Sequence, residues 1–173
     1  MFDFSNPNRP SVVIFRMKGG PMSQKVIDLL NQARSRELSA ITQYMAQHYE
    51  LEDRDFGKLA GKLKEIGIVE MKHAEKLAER ILFLNGEPTS KPDGVAKKGQ
   101  EIAEMLKTDM GLETEAIKMY NEASLICASE KDQISKGLFE HLLKEEEAHL
   151  DDFQNIKDHV EKLGASYLAT LTG

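Results

Sequence analysis

One spacing occurs twice in this chain and leaves few folds open to it. Glu37 is followed 33 positions later by Glu70, and Glu113 is followed 33 positions later by Glu146. Each second glutamate opens a Glu-x-x-His motif, Glu70-Met-Lys-His73 and Glu146-Glu-Ala-His149. A tyrosine follows each first glutamate by seven positions, Tyr44 and Tyr120, so the two halves read as offset copies. In an antiparallel helical hairpin, residues equidistant from the turn lie at one height. The first pair is centred on the acidic stretch Leu51-Glu-Asp-Arg-Asp55 and the second on Ser129-Glu130. At about 1.5 Å rise per residue, each glutamate then lies roughly 25 Å from its turn, near mid-bundle. Positions i and i+3 share a helix face, so each Glu-x-x-His brings a carboxylate and an imidazole into the same layer.

The surrounding periodicity supplies the helices. Gly19, Gly20 and Pro21 break the chain, and Ser23 offers an N-cap for helix A, which runs to about residue 50 with the stripe Ile27, Leu30, Glu37, Ile41, Tyr44, Leu51. Helix B carries Leu59, Leu63, Ile66, Glu70, His73, Leu77, Ile81 and Leu84, and Asn85-Gly86 ends it. Residues 87–99, with Pro88, Pro92, Gly94 and Gly99, lack apolar periodicity and read as a long connection. Helix C shows Ile102, Leu106, Asp109, Glu113, Ile117, Tyr120, Ser124 and Cys127; helix D shows Leu138, Leu142, Glu146, His149, Phe153, Ile156, Val160 and Leu163. Gly164 closes helix D, and residues 165–171 suit a short fifth helix. Short, long and short connections predict an all-α antiparallel four-helix bundle, two hairpins joined by a crossover, over residues 22–173. Residues 1–21 read as an irregular extension, in which Met17 or Met22 could be the physiological start.

Composition removes competing classes. The net charge of −6 gives no basic surface for nucleic acid. A single cysteine, Cys127, excludes a disulfide framework and any cysteine-rich metal module, and fits a reducing cytoplasm. No apolar run approaches the roughly 18–20 residues needed to span a bilayer, and the first residues lack the order of a secretory signal.

Four ionised glutamates in an apolar core would repel one another and lose their hydration, and two divalent cations cancel both costs. Oxygen and nitrogen ligands without thiolates suit iron or manganese; zinc could bind but does no redox chemistry. One Glu-x-x-His arises easily by chance in a glutamate-rich chain. Two, each with a partner glutamate at equal spacing on an apolar stripe, do not. Tyr44 could hydrogen-bond near the site, supply a further electron or simply pack, and Tyr120 suits packing better. His48, His141 and His159 lack a matching carboxylate pair and read as solvated or structurally satisfied, and Glu145 and Glu147 as a solvated face. A di-iron or di-manganese peroxidase or catalase and a purely structural helical protein are both open to such a chain. A rubrerythrin-like arrangement lacks its four-cysteine module.

Over about residues 22 to 172 the sequence resembles the bacterioferritins, members of the ferritin-like di-iron superfamily. The resemblance rests on Glu37-Leu-Ser-Ala-Ile-Thr-Gln-Tyr44, Glu70-Met-Lys-His-Ala-Glu75 and Glu145-Glu-Glu-Ala-His149. It implies that Glu37 and His73 bind one iron, Glu113 and His149 the other, and that Glu70 and Glu146 bridge them. The implied activity is a ferroxidase that oxidises Fe(II) with dioxygen or hydrogen peroxide and deposits ferric oxide in a cytoplasmic cage of 24 subunits. It further implies that Met71, rotated about 100° from the metal face, binds a haem, b-type or a related iron porphyrin, shared by two subunits across a two-fold axis, and that a ferredoxin-type redox partner serves the cage. Some members carry His and Asp five and one positions before the second glutamate as an inner-surface iron site. This chain has Glu65 and Val69 there, which leaves that site unsupported.

Overall fold

The computed structural model describes residues 24–173; the expected N-cap Ser23 and the extension with Met17 and Met22 lie outside the described residues. Four long helices, α1 (Gln24–Asp53), α2 (Gly57–Phe83), α3 (Ile102–Ser129) and α4 (Gln133–Leu163), form two antiparallel hairpins, and a one-turn α5 (Ala165–Leu168) runs into a 3-10 turn, Ala169–Leu171. The all-α bundle with a long crossover is thus present, and no helix among the described residues is long and apolar enough to cross a membrane.

The first three helices stop in the same way. Asp55, Asn85 and Lys131 take left-handed backbone angles, φ 61°, 63° and 60°. The amide that follows each reaches back five residues: Phe56 N–H to the Leu51 carbonyl, Gly86 to Ile81 and Asp132 to Cys127, each at 2.9 Å. This is the Schellman closure, which satisfies carbonyls that a helix end otherwise orphans. Asp55 and Lys131 stand 76 positions apart, the offset that carries Glu37 onto Glu113 and Glu70 onto Glu146. The duplicated unit therefore includes its turn, which holds the glutamates of each hairpin at equal height. Asp132 then caps α4 by accepting from the Ser135 amide at 2.9 Å and ties it to α2 through Arg80 at 2.7 Å.

Along every helix, apolar residues come in two blocks with a polar interval between them. One core cluster joins Val26, Leu30, Leu77, Ile81, Phe139 and Leu142. The other joins Leu51, Leu63, Leu106 and Phe153. Between them lie buried Glu37, Glu70, His73, Glu113, Glu146 and His149. The crossover, featureless in the sequence, is ordered by α1. Asn31, Ser35, Ser39 and Gln43 recur every fourth position and so form one stripe. Asn31 pairs with Glu87 and Thr89. Ser35 donates to the Lys91 carbonyl, Ser39 accepts the Asp93 and Gly94 amides, and Gln43 both donates to and accepts from the Lys97 backbone. The connection runs along α1 as a strap.

Gly86 sits where α2 turns into the strap. A Cβ there would lie 2.7 Å from Ile27 Cγ2 and 2.9 Å from Ile81 Cγ2, both inside the first core cluster. Gly86→Ala is expected to destabilise the bundle by about 1–3 kcal/mol, the usual cost of overpacking. A thermal midpoint equal to wild type would show that the strap simply yields.

Candidate metal centre

Each helix delivers its site residues at the junction of the two apolar clusters. Two groups of side chains converge closely enough to hold a cation each: Glu37, Glu70, His73 and Glu146, and Glu70, Glu113, Glu146 and His149. Their ligand atoms lie within 4.8 Å of one another in each group. Glu70 and Glu146 belong to both. The two imidazoles lie 6.2 Å apart, centroid to centroid, nearly parallel.

Both histidines present Nδ1 to the carboxylates. His73 Nδ1 is 2.8 Å from Glu70 Oε2 and 3.0 Å from Glu146 Oε1; His149 Nδ1 is 2.9 Å from Glu70 Oε1. Yet both Glu70 oxygens, Glu146 Oε1 and His73 Nδ1 are buried without a hydrogen bond of proper direction. They point at a common volume more than at one another. Buried polar atoms rarely go unpartnered, and a cation is the partner that suits acceptors facing one another.

Electrostatics in the layer reflect this crowding. Burial, reinforced by Glu70 and Glu146, pushes the carboxyls of Glu37 and Glu113 well above the usual carboxylate range. Burial opposes charge on His73, but Glu146, Glu37 and Glu70 outweigh it and raise its pKa. His149 is raised to about 9, with burial again overcome by Glu146 and Glu70. Glu146 moves the other way, because His149 and His73 more than offset its burial. Protons thus balance the charge among these groups, and a bound cation would displace them.

Several residues take positions that spacing alone did not assign. Tyr44 donates to Glu113 at 2.5 Å, and Tyr120 donates to Glu37, so each tyrosine serves the glutamate of the other hairpin. Packing alone therefore does not describe Tyr120; the duplicated seven-residue spacing was the signal. Glu145, assigned to a solvated face, lies 2.9 Å from His73 Nε2. His48 is buried against the Ala60 carbonyl and His159 bonds the Asn155 carbonyl, both structurally satisfied, whereas His141 lies against Lys76 and Glu145. Cys127 is buried, and burial pushes its thiol up to about 11, as suits an inert core residue. Met71 faces away from the layer and is half exposed.

Comparison with known proteins agrees with this geometry. The Ferritin family, described as a ferritin-like domain, matches residues 27–163. The bacterioferritin of Desulfovibrio desulfuricans is 44% identical over 149 residues, which cover 86% of this chain and 83% of that protein. That of Rhodobacter capsulatus is 39% identical over 155 residues, 90% of this chain and 94% of its own. The X-ray structure of the Desulfovibrio protein, which records its di-iron site in different catalytic states, superposes with a TM-score of 0.85 over 86% of this chain and 87% of that one. A bacterioferritin of Mycobacterium tuberculosis superposes at 0.84 with 29% identity, over 87% of this chain and 96% of that one.

One turn below Glu113 on α3, Asp109 is fully buried and accepts from Gln47 Nε2 at 2.9 Å. Its Oδ2 and Gln47 Oε1 are both buried acceptors without a donor. A proton on Oδ2 would turn one of these acceptors into a donor, and burial, against the Gln47 bond, does push this carboxyl from 3.8 up to about 8. A raised folded-state pKa contributes stability that is complete below the unfolded value and lost as pH climbs through the folded one. Relative to Asp109→Asn, which keeps the shape without the titration, wild type is therefore expected to lose stability from about pH 4 to about pH 8. The urea midpoint of wild type, measured across that range, should fall relative to that of the variant as pH rises; a constant gap would refute the buried acid.

Proposed function

The chain belongs to the bacterioferritin family of ferritin-like proteins, and on that premise we propose that it oxidises ferrous iron at its six-residue layer and stores the ferric product. The observation that carries this reading is the convergence of two four-residue groups that share Glu70 and Glu146. Four carboxylates and two imidazoles without a thiolate suit a pair of ferrous ions, and the unpartnered oxygens of Glu70 and Glu146 support the same fit. Glu37 and His73 would hold one ion, Glu113 and His149 the other, with Glu70 and Glu146 bridging. When bound, the two irons each supply one electron to dioxygen or hydrogen peroxide.

The chain's own residues prepare for that chemistry. Tyr120 donates to Glu37 and Tyr44 to Glu113, which fixes where those two carboxylates stand. The apolar clusters above and below exclude water, so charge is felt strongly within the layer. Oxidised ions pass on to mineral in a cytoplasmic cage of 24 copies. Glu65 and Val69 stand where some family members carry the imidazole and carboxylate of an inner-surface iron site, and no step of this route is assigned to those positions.

Haem binding belongs to the outer face of α2. Met71 is 52% exposed, one position on from Glu70, which is 1% exposed, and Ile68 lies 40% exposed one turn before it. A thioether beside apolar surface, aimed away from its own bundle, suits a haem, and Met71 would be the residue that holds its iron between two copies of the chain. A ferredoxin-type protein would be the redox partner of the assembly.

Aerobic addition of Fe(II) is expected to give a fast oxidation phase that saturates near two irons per subunit. Glu70→Ala and His149→Ala should abolish that phase with helical circular dichroism retained. A fast phase of wild-type amplitude in both variants would sink the assignment. Purified protein should show a Soret band that disappears in Met71→Leu; persistence of the band would point to another ligand.

A further inference from the structure

The two halves of the layer match in their ligands but not behind them. His73 is fully buried, directs Nδ1 at the carboxylates and turns Nε2 the other way, 2.9 Å from Glu145 Oε2. Glu145 is steadied from outside by His141 at 3.2 Å and Lys76 at 3.7 Å. An N–H on Nε2 that donates to this carboxylate fixes the ring plane and, once a cation displaces the proton from Nδ1, holds the remaining proton on Nε2 so that Nδ1 is the ligand atom. His149 also directs Nδ1 inward, 2.9 Å from Glu70 Oε1. Among the described residues, however, no polar side chain meets its Nε2. The duplication accounts for the difference, because the 76-residue offset that carries Glu70 onto Glu146 carries Val69 onto Glu145. One half has a carboxylate at this position and the other an isopropyl group.

We propose that Glu145 is a positioning residue that makes the two metal positions unequal, so that the one built on Glu37 and His73 binds a divalent cation more tightly than the one built on Glu113 and His149. A ligand held in the right tautomer and plane loses little freedom on binding; one without a partner must be ordered by the metal itself. Outer partners of metal-bound histidines are commonly worth about 10–100-fold in affinity. The inference rests on the two-metal reading of the layer, and the experiment below separates the two.

The test is anaerobic titration of the full-length protein with Co(II), followed by d–d absorption and calorimetry. Wild type should bind two Co(II) per subunit in resolved steps, the first at least about tenfold tighter. His149→Ala should lose the weaker step and keep the tighter, and His73→Ala should do the reverse. Glu145→Ala should weaken the tight step by about tenfold or more and merge the two, with Glu145→Gln, whose carbonyl still accepts from Nε2, lying between. Val69→Glu, which copies Glu145 into the other half, should tighten the weak step. Two equal steps in wild type, or a tight step untouched in Glu145→Ala, would overturn the inequality while leaving the two-metal reading in place. No Co(II) binding at all would overturn both.

Discussion

Burial of like-charged carboxylates at one height of the bundle is the constraint around which the rest is arranged. Separated glutamates would cost little on a helix surface; four of them between two apolar clusters cannot all stay ionised without compensation. Protons on Glu37 and Glu113, raised imidazole basicity, and tyrosine donors are the compensations the chain itself supplies. Cations would supply the rest. Stability and chemistry therefore compete for the same six side chains, and the apolar blocks on either side are what allow a polar layer of this kind to persist.

That layer depends in turn on where each hairpin reverses. A helix one residue longer would rotate its glutamate by about 100° and move it by about 1.5 Å. The Schellman closures at Asp55 and Lys131 are therefore part of the site, although each lies a long way from it. Asp132, held by Ser135 and Arg80, fixes the start of α4 in the same sense.

Much of this was legible in the sequence because helical periodicity and equal spacing are strong, local signals. The four helices, the long crossover and the convergence of Glu37, Glu70, His73, Glu113, Glu146 and His149 on one height all follow from counting residues between turns. Contacts that cross between hairpins at single atoms do not. Nothing in the spacing says that Tyr120 reaches Glu37 rather than packing, or that Glu145, one of three adjacent glutamates, meets the far nitrogen of His73. Asp109 did stand on the apolar stripe of its helix, but its pairing with Gln47 needed the distance. The strap escaped because its order comes from the polar stripe of α1, and a reading based on apolar periodicity passes over polar stripes.

The strap has one more consequence. A centre made from two identical hairpins would be bound by symmetry: any side chain placed behind one histidine would appear behind the other, and neither half could be improved or relaxed alone. Joining the hairpins in one chain removes that obligation. Position 69 can be valine while position 145 is glutamate, so the two halves of a duplicated scaffold can differ behind their histidines. The covalent tether, which contributes no ligand, is what lets the halves of the centre specialise.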